Sequence, residues 1–173
     1  MNKEDANKIV EEELGLHEQS CSVMPEITEE YGKCFAVYYQ GNEYIKTKDD
    51  LQMLVGHGPV LVEKDTGKVF ETGSANSTEH YVHIFEQCGD PFASLSNRVK
   101  VEEWVEGAIA VTAIKAVRDK LGCGLSSAKK IVEAVISGEP QILECECEKV
   151  AKELVRELNA CGFNSKHLWS NQC

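Results

Sequence analysis

The apolar positions of this chain change period several times along its length, and each change predicts an element. Between Glu4 and Leu16, the residues Ala6, Ile9, Val10 and Leu14 form one stripe beside Glu11, Glu12 and Glu13. That pattern predicts a surface helix closed by Gly15. Residues 17–30 show no period, and Pro25 blocks a helix there. Lys33–Gln40 (KCFAVYYQ) is dense in aromatic and β-branched residues and predicts a buried strand. Gly41-Asn42 reads as a turn, with Glu43–Thr47 returning as the second strand of a hairpin, and Asp49–Val55 as a short helix closed by Gly56. Pro59–Glu63 and Lys68–Thr72 predict two strands around the turn Lys64-Asp65-Thr66-Gly67. Asn76 followed by Glu79 has the form of a capping box for a helix carrying Tyr81, Val82, Ile84 and Phe85, ending near Gly89 before Asp90-Pro91.

The second half has a different rhythm. FASLSNR (residues 92–98) reads as a polar connector, and Val99–Val105 alternates with charge as a strand does, with Trp104 at its buried end. Residues 111–132 then read as two amphipathic helices around a glycine corner. Ile114, Val117 and Leu121 mark the first apolar face; Leu125, Ala128, Ile131, Val132 and Val135 mark the second. Gly122 and Gly124 bracket Cys123 at the corner, where the backbone can turn through conformations that a β-carbon would penalise. Ser137-Gly138-Glu139-Pro140 ends the second helix, and Gln141–Cys145 is a short strand. Glu148–Cys161 carries Val150, Ala151, Leu154, Val155 and Leu158 on one face, Gly162 caps it, and Phe163–Trp169 makes a final strand. The predicted class is α+β in two small domains, residues 1–93 and 97–173. The first is an α-β-meander-α domain. The second has the order β-α-α-β-α-β, with three helices on one face of a three-stranded sheet.

Composition sharpens this division. The formal net charge is −11. Residues 1–96 hold 7 basic and 18 acidic side chains, whereas residues 97–173 hold 11 of each, so the whole imbalance lies in the first half. An acidic surface argues against non-specific nucleic-acid binding; it fits docking to a basic protein and equally fits a charge that serves solubility alone. The five basic residues between Lys115 and Lys130, with Asp119 the one acid among them, form a positive edge, but no aromatics interleave them for base stacking. The N-terminus is acidic and has no apolar core of a secretory signal, and no run reaches the roughly 20 apolar residues of a membrane span. The expectation is a cytoplasmic protein whose eight cysteines are structural thiols.

No catalytic constellation emerges. Gly122-Cys-Gly124 lacks the third glycine and preceding strand of a dinucleotide site, and Gly56-His-Gly58-Pro59 lacks a phosphate-binding lysine. No C-x-x-C pair begins a zinc site. His80 and His83 share a helical face without a third ligand at recognisable spacing, and Cys34, between Lys33 and Phe35, reads as a buried thiol rather than a nucleophile. No metal or cofactor is expected.

Two resemblances add to these readings. The aromatic strand (Phe35, Tyr38, Tyr39), Tyr44, the block G-H-G-P-V-L-V-x-K-D-T-G-K-V-F-x-T-G from Gly56 to Gly73, and Tyr81 make residues 3–88 resemble the bacterial immunity protein 35 family, also described as the YrhB-like domain. That resemblance implies a non-catalytic protein that binds and neutralises a cognate toxin of a polymorphic toxin system. In the second half, I-K-A-V-R…G-x-G-L-x-x-A-K-x-I-V-E…P…A-x-x-L-x-x-x-L-x-x-x-G makes residues 99–168 similar to the C-terminal domain of the bacterial ribosomal stalk protein, seven/twelve type. That family's domain recruits translation GTPases through the two helices around the glycine corner. By motif position, the implied contact residues are Ile114, Lys115, Arg118, Gly124, Leu125 and Lys129. Ala110, Ser126 and Ser127 stand where the stalk pattern carries charge, Cys147 replaces a capping serine, and the stalk protein's dimerising domain and hinge are absent. The joint expectation is an immunity protein with a second, stalk-like protein-binding module. The alternative is a translation-associated adaptor for elongation-factor GTPases.

Overall fold

The structure is a computed structural model that describes residues 1–172; the eighth cysteine, Cys173, lies outside the described residues. The chain divides into two compact units, Met1–Ala93 and a second from Ser94 onward.

The first unit is built around a four-stranded antiparallel sheet. Its members are β2 (Glu29–Glu30), β3 (Cys34–Val37), β5 (His57–Glu63) and β6 (Val69–Gly73), in the order β2-β3-β5-β6. Two long helices flank the sheet, α1 (Lys3–Glu13) and α3 (Thr78–Cys88). All four residues of β3 are buried because the pleat sends them alternately to two cores. Phe35 and Val37, with Val60 and Val62 opposite them, pack with Ala6 and Val10 of α1. Cys34, Ala36 and Leu61 pack with Tyr81, Val82 and Phe85 of α3. Helix α1 begins on a reciprocal cap, in which Asn2 Oδ1 accepts from Asp5 N at 2.8 Å and Asp5 Oδ2 accepts from Asn2 N at 3.1 Å.

Several expectations need correction here. Lys33–Gln40 is not one strand: β3 ends at Val37, and β4 (Tyr39–Gly41) joins a separate two-stranded sheet with β1 (Cys21–Val23). The partner β1 lies inside the stretch expected to be irregular, so a hairpin return after Gly41 is not needed. Glu43–Thr47 accordingly forms no strand. Asn42–Thr47 is a helix, α2, whose Thr47 hydroxyl donates to Glu43 O at 2.7 Å and whose C-cap Lys48 adopts a left-handed φ of 57°. Only Asp50–Gln52 of the expected 49–55 helix turns, as a 3₁₀ segment. The cap of α3 is Ser77 rather than Asn76, with the Ser77 hydroxyl accepting from His80 N at 3.3 Å.

The second unit is a three-stranded antiparallel sheet, β8-β7-β9, formed by β7 (Leu95–Trp104), β8 (Gln141–Glu144) and β9 (Phe163–Trp169). Strand β7 starts within the presumed connector, since Leu95 pairs with Trp169. Helices α4 (Ala110–Leu121), α5 (Leu125–Ile136) and α6 (Glu148–Ala160) share one core with Val99, Val101, Leu143 and Phe163. The opposite sheet face is polar, where Glu102 pairs with Lys166 at 2.7 Å and Lys100 at 3.2 Å. These two cations hold the Glu102 carboxyl below its ordinary range, the hydrogen bond from Lys166 contributing most. Trp104 is not buried. An irregularity between Val101 and Glu103 interrupts the alternation, and Trp104 remains 43% exposed with its indole N–H donating to the last-turn carbonyl of Ile136 at 3.1 Å.

The glycine block from Gly56 to Gly73 has a packing cause. A β-carbon on Gly58 would collide with the Gly73 carbonyl oxygen and lie 2.7 Å from Thr72 Oγ1, which already donates to Pro59 O at 2.6 Å in a buried setting. Gly58→Ala should therefore lower the unfolding free energy by about 1–3 kcal/mol. Gly124→Ala, where an added β-carbon meets nothing within 4 Å, should leave stability within about 0.5 kcal/mol. Urea unfolding of the two variants checks both.

Candidate protein-docking surfaces

The glycine corner joins α4 to α5, and its two glycines do different work. Gly122 closes α4 at a φ of 61°, which a β-carbon penalises, whereas Gly124 is the N-cap of α5 at a φ of −69°, open to any residue. The left-handed conformation allowed for at the corner falls at Gly122. The six implied contact residues do not form a uniform surface. Leu125 is 61% exposed, and Gly124 and Lys129 are exposed beside it on the first turns of α5. On α4, Lys115 is exposed, but Ile114 is half-buried against the core and helps to hold α4 in place.

Ion pairs consume much of the positive edge. Arg118 meets Asp119 at 2.6 Å, and Lys129 meets Glu133 at 3.5 Å. Lys120 lies 2.7 Å from Glu153 and 3.2 Å from Glu157, tying α4 to α6. The hydrogen bond to Glu153 is the largest influence holding the Lys120 ammonium above its ordinary value. Among the described residues, Lys115 and Lys130 are the members of the edge without an ion pair. Lys115 lies on the rim of an open groove of about 350 Å³ lined also by Ile109, Thr112, Ala116, Asp119 and Glu157. Its mixed charge fits a protein contact better than a phosphate backbone.

The first unit presents an apolar loop that sequence reasoning missed. Leu51, Met53, Leu54 and Val55 all expose large side chains, Leu51 by 90% and Val55 by 80%. The backbone of Leu54 is held by Gln40, a buried polar residue 6% exposed. Its Nε2 donates to Leu54 O at 2.9 Å, while its Oε1 accepts from Leu54 N at 2.9 Å and from Gly41 N at 3.1 Å. This pair of hydrogen bonds to Leu54 stands in place of the helical turn expected there. The apolar run L-x-M-L-V was the available signal, but it also fits a helix face turned inward.

Elsewhere the reactive side chains are quiet. Among the described residues, no three His, Cys, Asp or Glu side chains converge as a metal site would require. His80 and His83 are exposed on α3. Tyr31 and Tyr38 direct their hydroxyls to Glu29 Oε2 at 2.8 and 3.2 Å, and Tyr38 also meets Thr78 Oγ1 at 2.7 Å. Burial above all, with Glu29 adding to it, raises the Tyr31 hydroxyl above its ordinary range. Cys34 is fully buried, and burial pushes its thiol from an ordinary 9.0 up to about 11. Cys21, Cys34, Cys123, Cys145, Cys147 and Cys161 are free thiols, with Cys147 exposed. No helix of the described residues is long and apolar enough to cross a membrane.

Three outcomes follow from these contacts. Gln40→Ala should cost about 1–3 kcal/mol, because it strips Leu54 of both side-chain partners, as urea unfolding would show. A thiol reagent at neutral pH should modify Cys147 well before Cys34, readable by peptide mass mapping. As pH rises from about 9 toward 11, the unfolded Cys34 thiol ionises while the folded one stays protonated, so this site's contribution to stability is lost through that window. Stability should therefore fall more steeply with pH over that interval in the wild type than in Cys34→Ala.

Comparison with known proteins reaches the first unit. Over 48 residues the chain is 29% identical to the Uncharacterized protein YrhB of Escherichia coli (strain K12), an alignment covering 28% of this chain and 51% of that protein, about half its length. No solved structure matches. Residues 4–84, which run from α1 through the sandwiched sheet into α3, match the family model described as Immunity protein 35.

Proposed function

We propose that this chain is a non-catalytic immunity protein, whose acidic first unit binds a cognate toxin of a bacterial polymorphic toxin system and occludes it in the cytoplasm. The match of residues 4–84 to the immunity family carries this reading. Charge supports it. The first 96 residues hold 18 acidic and 7 basic side chains, a field that accelerates encounter with a basic protein and weakens with salt. Coexpression of the full chain with the product of the open reading frame immediately upstream should restore growth to cells which that product arrests, and the two should co-purify. Absence of both rescue and co-purification would overturn the reading.

The second unit is read as a further protein-binding module, with Ile114, Lys115, Arg118, Gly124, Leu125 and Lys129 as its docking residues. The exposure of Leu125 beside the open Gly124 supports it, because an apolar side chain on a helix's first turn adds nothing to the core. Its partner is either the toxin itself or a translation GTPase. The adaptor alternative rests on the same residues, with the first unit accessory. Titration of the full chain against a purified elongation factor separates these. An adaptor predicts micromolar binding weakened about tenfold by the combined Lys115→Ala, Arg118→Ala and Lys129→Ala changes. No binding, or binding indifferent to those changes, removes the GTPase as partner.

A further inference from the structure

The immunity reading leaves open which part of the first unit touches the toxin, and the segment between α2 and β5 answers that. Four of the five residues 51–55 expose large apolar side chains, Leu51 by 90%, Val55 by 80%, Leu54 by 41% and Met53 by 40%. Scattered exposed apolar residues are ordinary on protein surfaces; a consecutive run of them is a patch that water disfavours. An unconstrained loop would relieve this by folding its side chains inward. Here hydrogen bonds hold the backbone from Leu51 to Leu54 with those side chains outward.

At one end, Asp49 Oδ1 accepts from Leu51 N at 3.0 Å, Asp49 O accepts from Gln52 N at 2.9 Å, and Asp50 O accepts from Met53 N at 3.2 Å. In the middle, buried Gln40 grips both the N–H and the C=O of Leu54. At the other end, the His57 ring stacks on Tyr39 at 4.7 Å, and its Nε2 lies 3.1 Å from Tyr39 O. The backbone from Leu51 to Leu54 is hydrogen-bonded while the Leu51 and Val55 side chains stay exposed. That is the arrangement of a pre-organised contact, in which the ordering cost of binding has already been met.

We propose that Leu51 and Val55 are the anchors by which the first unit docks its toxin, and that they enter an apolar pocket within a basic surface of that toxin. The apolar pocket follows from the exposure of the two side chains. The basic surround follows from the charge of the unit and from its local distribution. Asp49 and Asp50 precede the anchors and are exposed, while Lys46 is engaged by Glu43 at 3.3 Å and Lys48 sits over the Tyr44 ring. This inference rests on the immunity reading, and the experiment separates the two.

The full chain, its Leu51→Asp/Val55→Asp variant and its Gln40→Ala variant are titrated against the purified upstream gene product. Circular dichroism and thermal melting check their folds, and sedimentation gives their masses. The double variant should fold and melt as the wild type does, because both side chains are in water. It should bind roughly a hundredfold more weakly, as loss of a central anchor does. Gln40→Ala should bind about tenfold more weakly, since the loop must then be ordered on binding. Wild-type association should slow as salt rises. A wild type that binds, with a folded double variant binding within about twofold of it, overturns the anchor assignment and leaves the immunity reading standing. A wild type that neither binds nor protects overturns the immunity reading itself. A wild-type dimer that the double substitution converts to monomer would assign the loop to self-association and overturn the proposal.

Discussion

The alternation of β3 and β5 is the constraint on which the first unit depends. Cys34–Val37 supplies four consecutive buried residues, and the pleat divides them between α1 and α3. A slip of one residue would place Phe35 and Val37 on the α3 side, and Cys34 and Ala36 on the α1 side, reversing large and small in both cores. Register is therefore set by volume. The close approach of Gly58 to Gly73 holds the adjoining β5–β6 pair to the same alignment. With both sheet faces spent on the core, the unit exposes its sheet edges, its loops and the outer faces of α1 and α3.

The second unit spends only one sheet face on its core. Its helices gather over Val99, Val101, Leu143 and Phe163, and the other face is a lattice of Lys100, Glu102 and Lys166. Much of the positive charge along α4 and α5 works inside the unit: Lys120 ties α4 to α6, and Arg118 and Lys129 meet neighbouring acids. Exposed pairs of this kind contribute little to stability, but they remove free cations from the surface. Leu125 at the start of α5 stays exposed, as do Lys115 and Lys130, which make no ion pair among the described residues.

Both candidate surfaces share a physical form. Each offers large apolar side chains exposed to water, Leu125 at the corner and Leu51 and Val55 in the loop. At the corner, Gly122 turns the chain at a left-handed φ of 61° ahead of Leu125; in the 51–55 loop, buried Gln40 holds the backbone of Leu54. Neither surface brings together the acid, base and nucleophile that chemistry would require. Cys34, the most perturbed thiol, is fully buried and protonated.

The sequence by itself determined the elements whose pattern is local. The α1 stripe, the strands around Asp65-Thr66-Gly67, the α4–α5 corner and α6 all follow from spacings of a few residues, which covalent geometry alone converts into faces. It also determined the charge asymmetry and the resemblance of the first half. Tertiary structure decided what depends on distant partners. Tyr39–Gly41 leaves the main sheet because Cys21–Val23 is available to pair with it, and Asn42–Thr47 becomes a helix once that return is made elsewhere. The 51–55 run is apolar enough to be read as core. Only the side chain of Gln40, fourteen residues from Leu54, turns it toward water. Likewise Arg118 and Lys120 are alike as charges in the sequence, and only packing of α6 against α4 makes Lys120 a structural tie. Period and composition assign side chains to faces; long-range hydrogen bonds and ion pairs decide which of those faces remain for a partner.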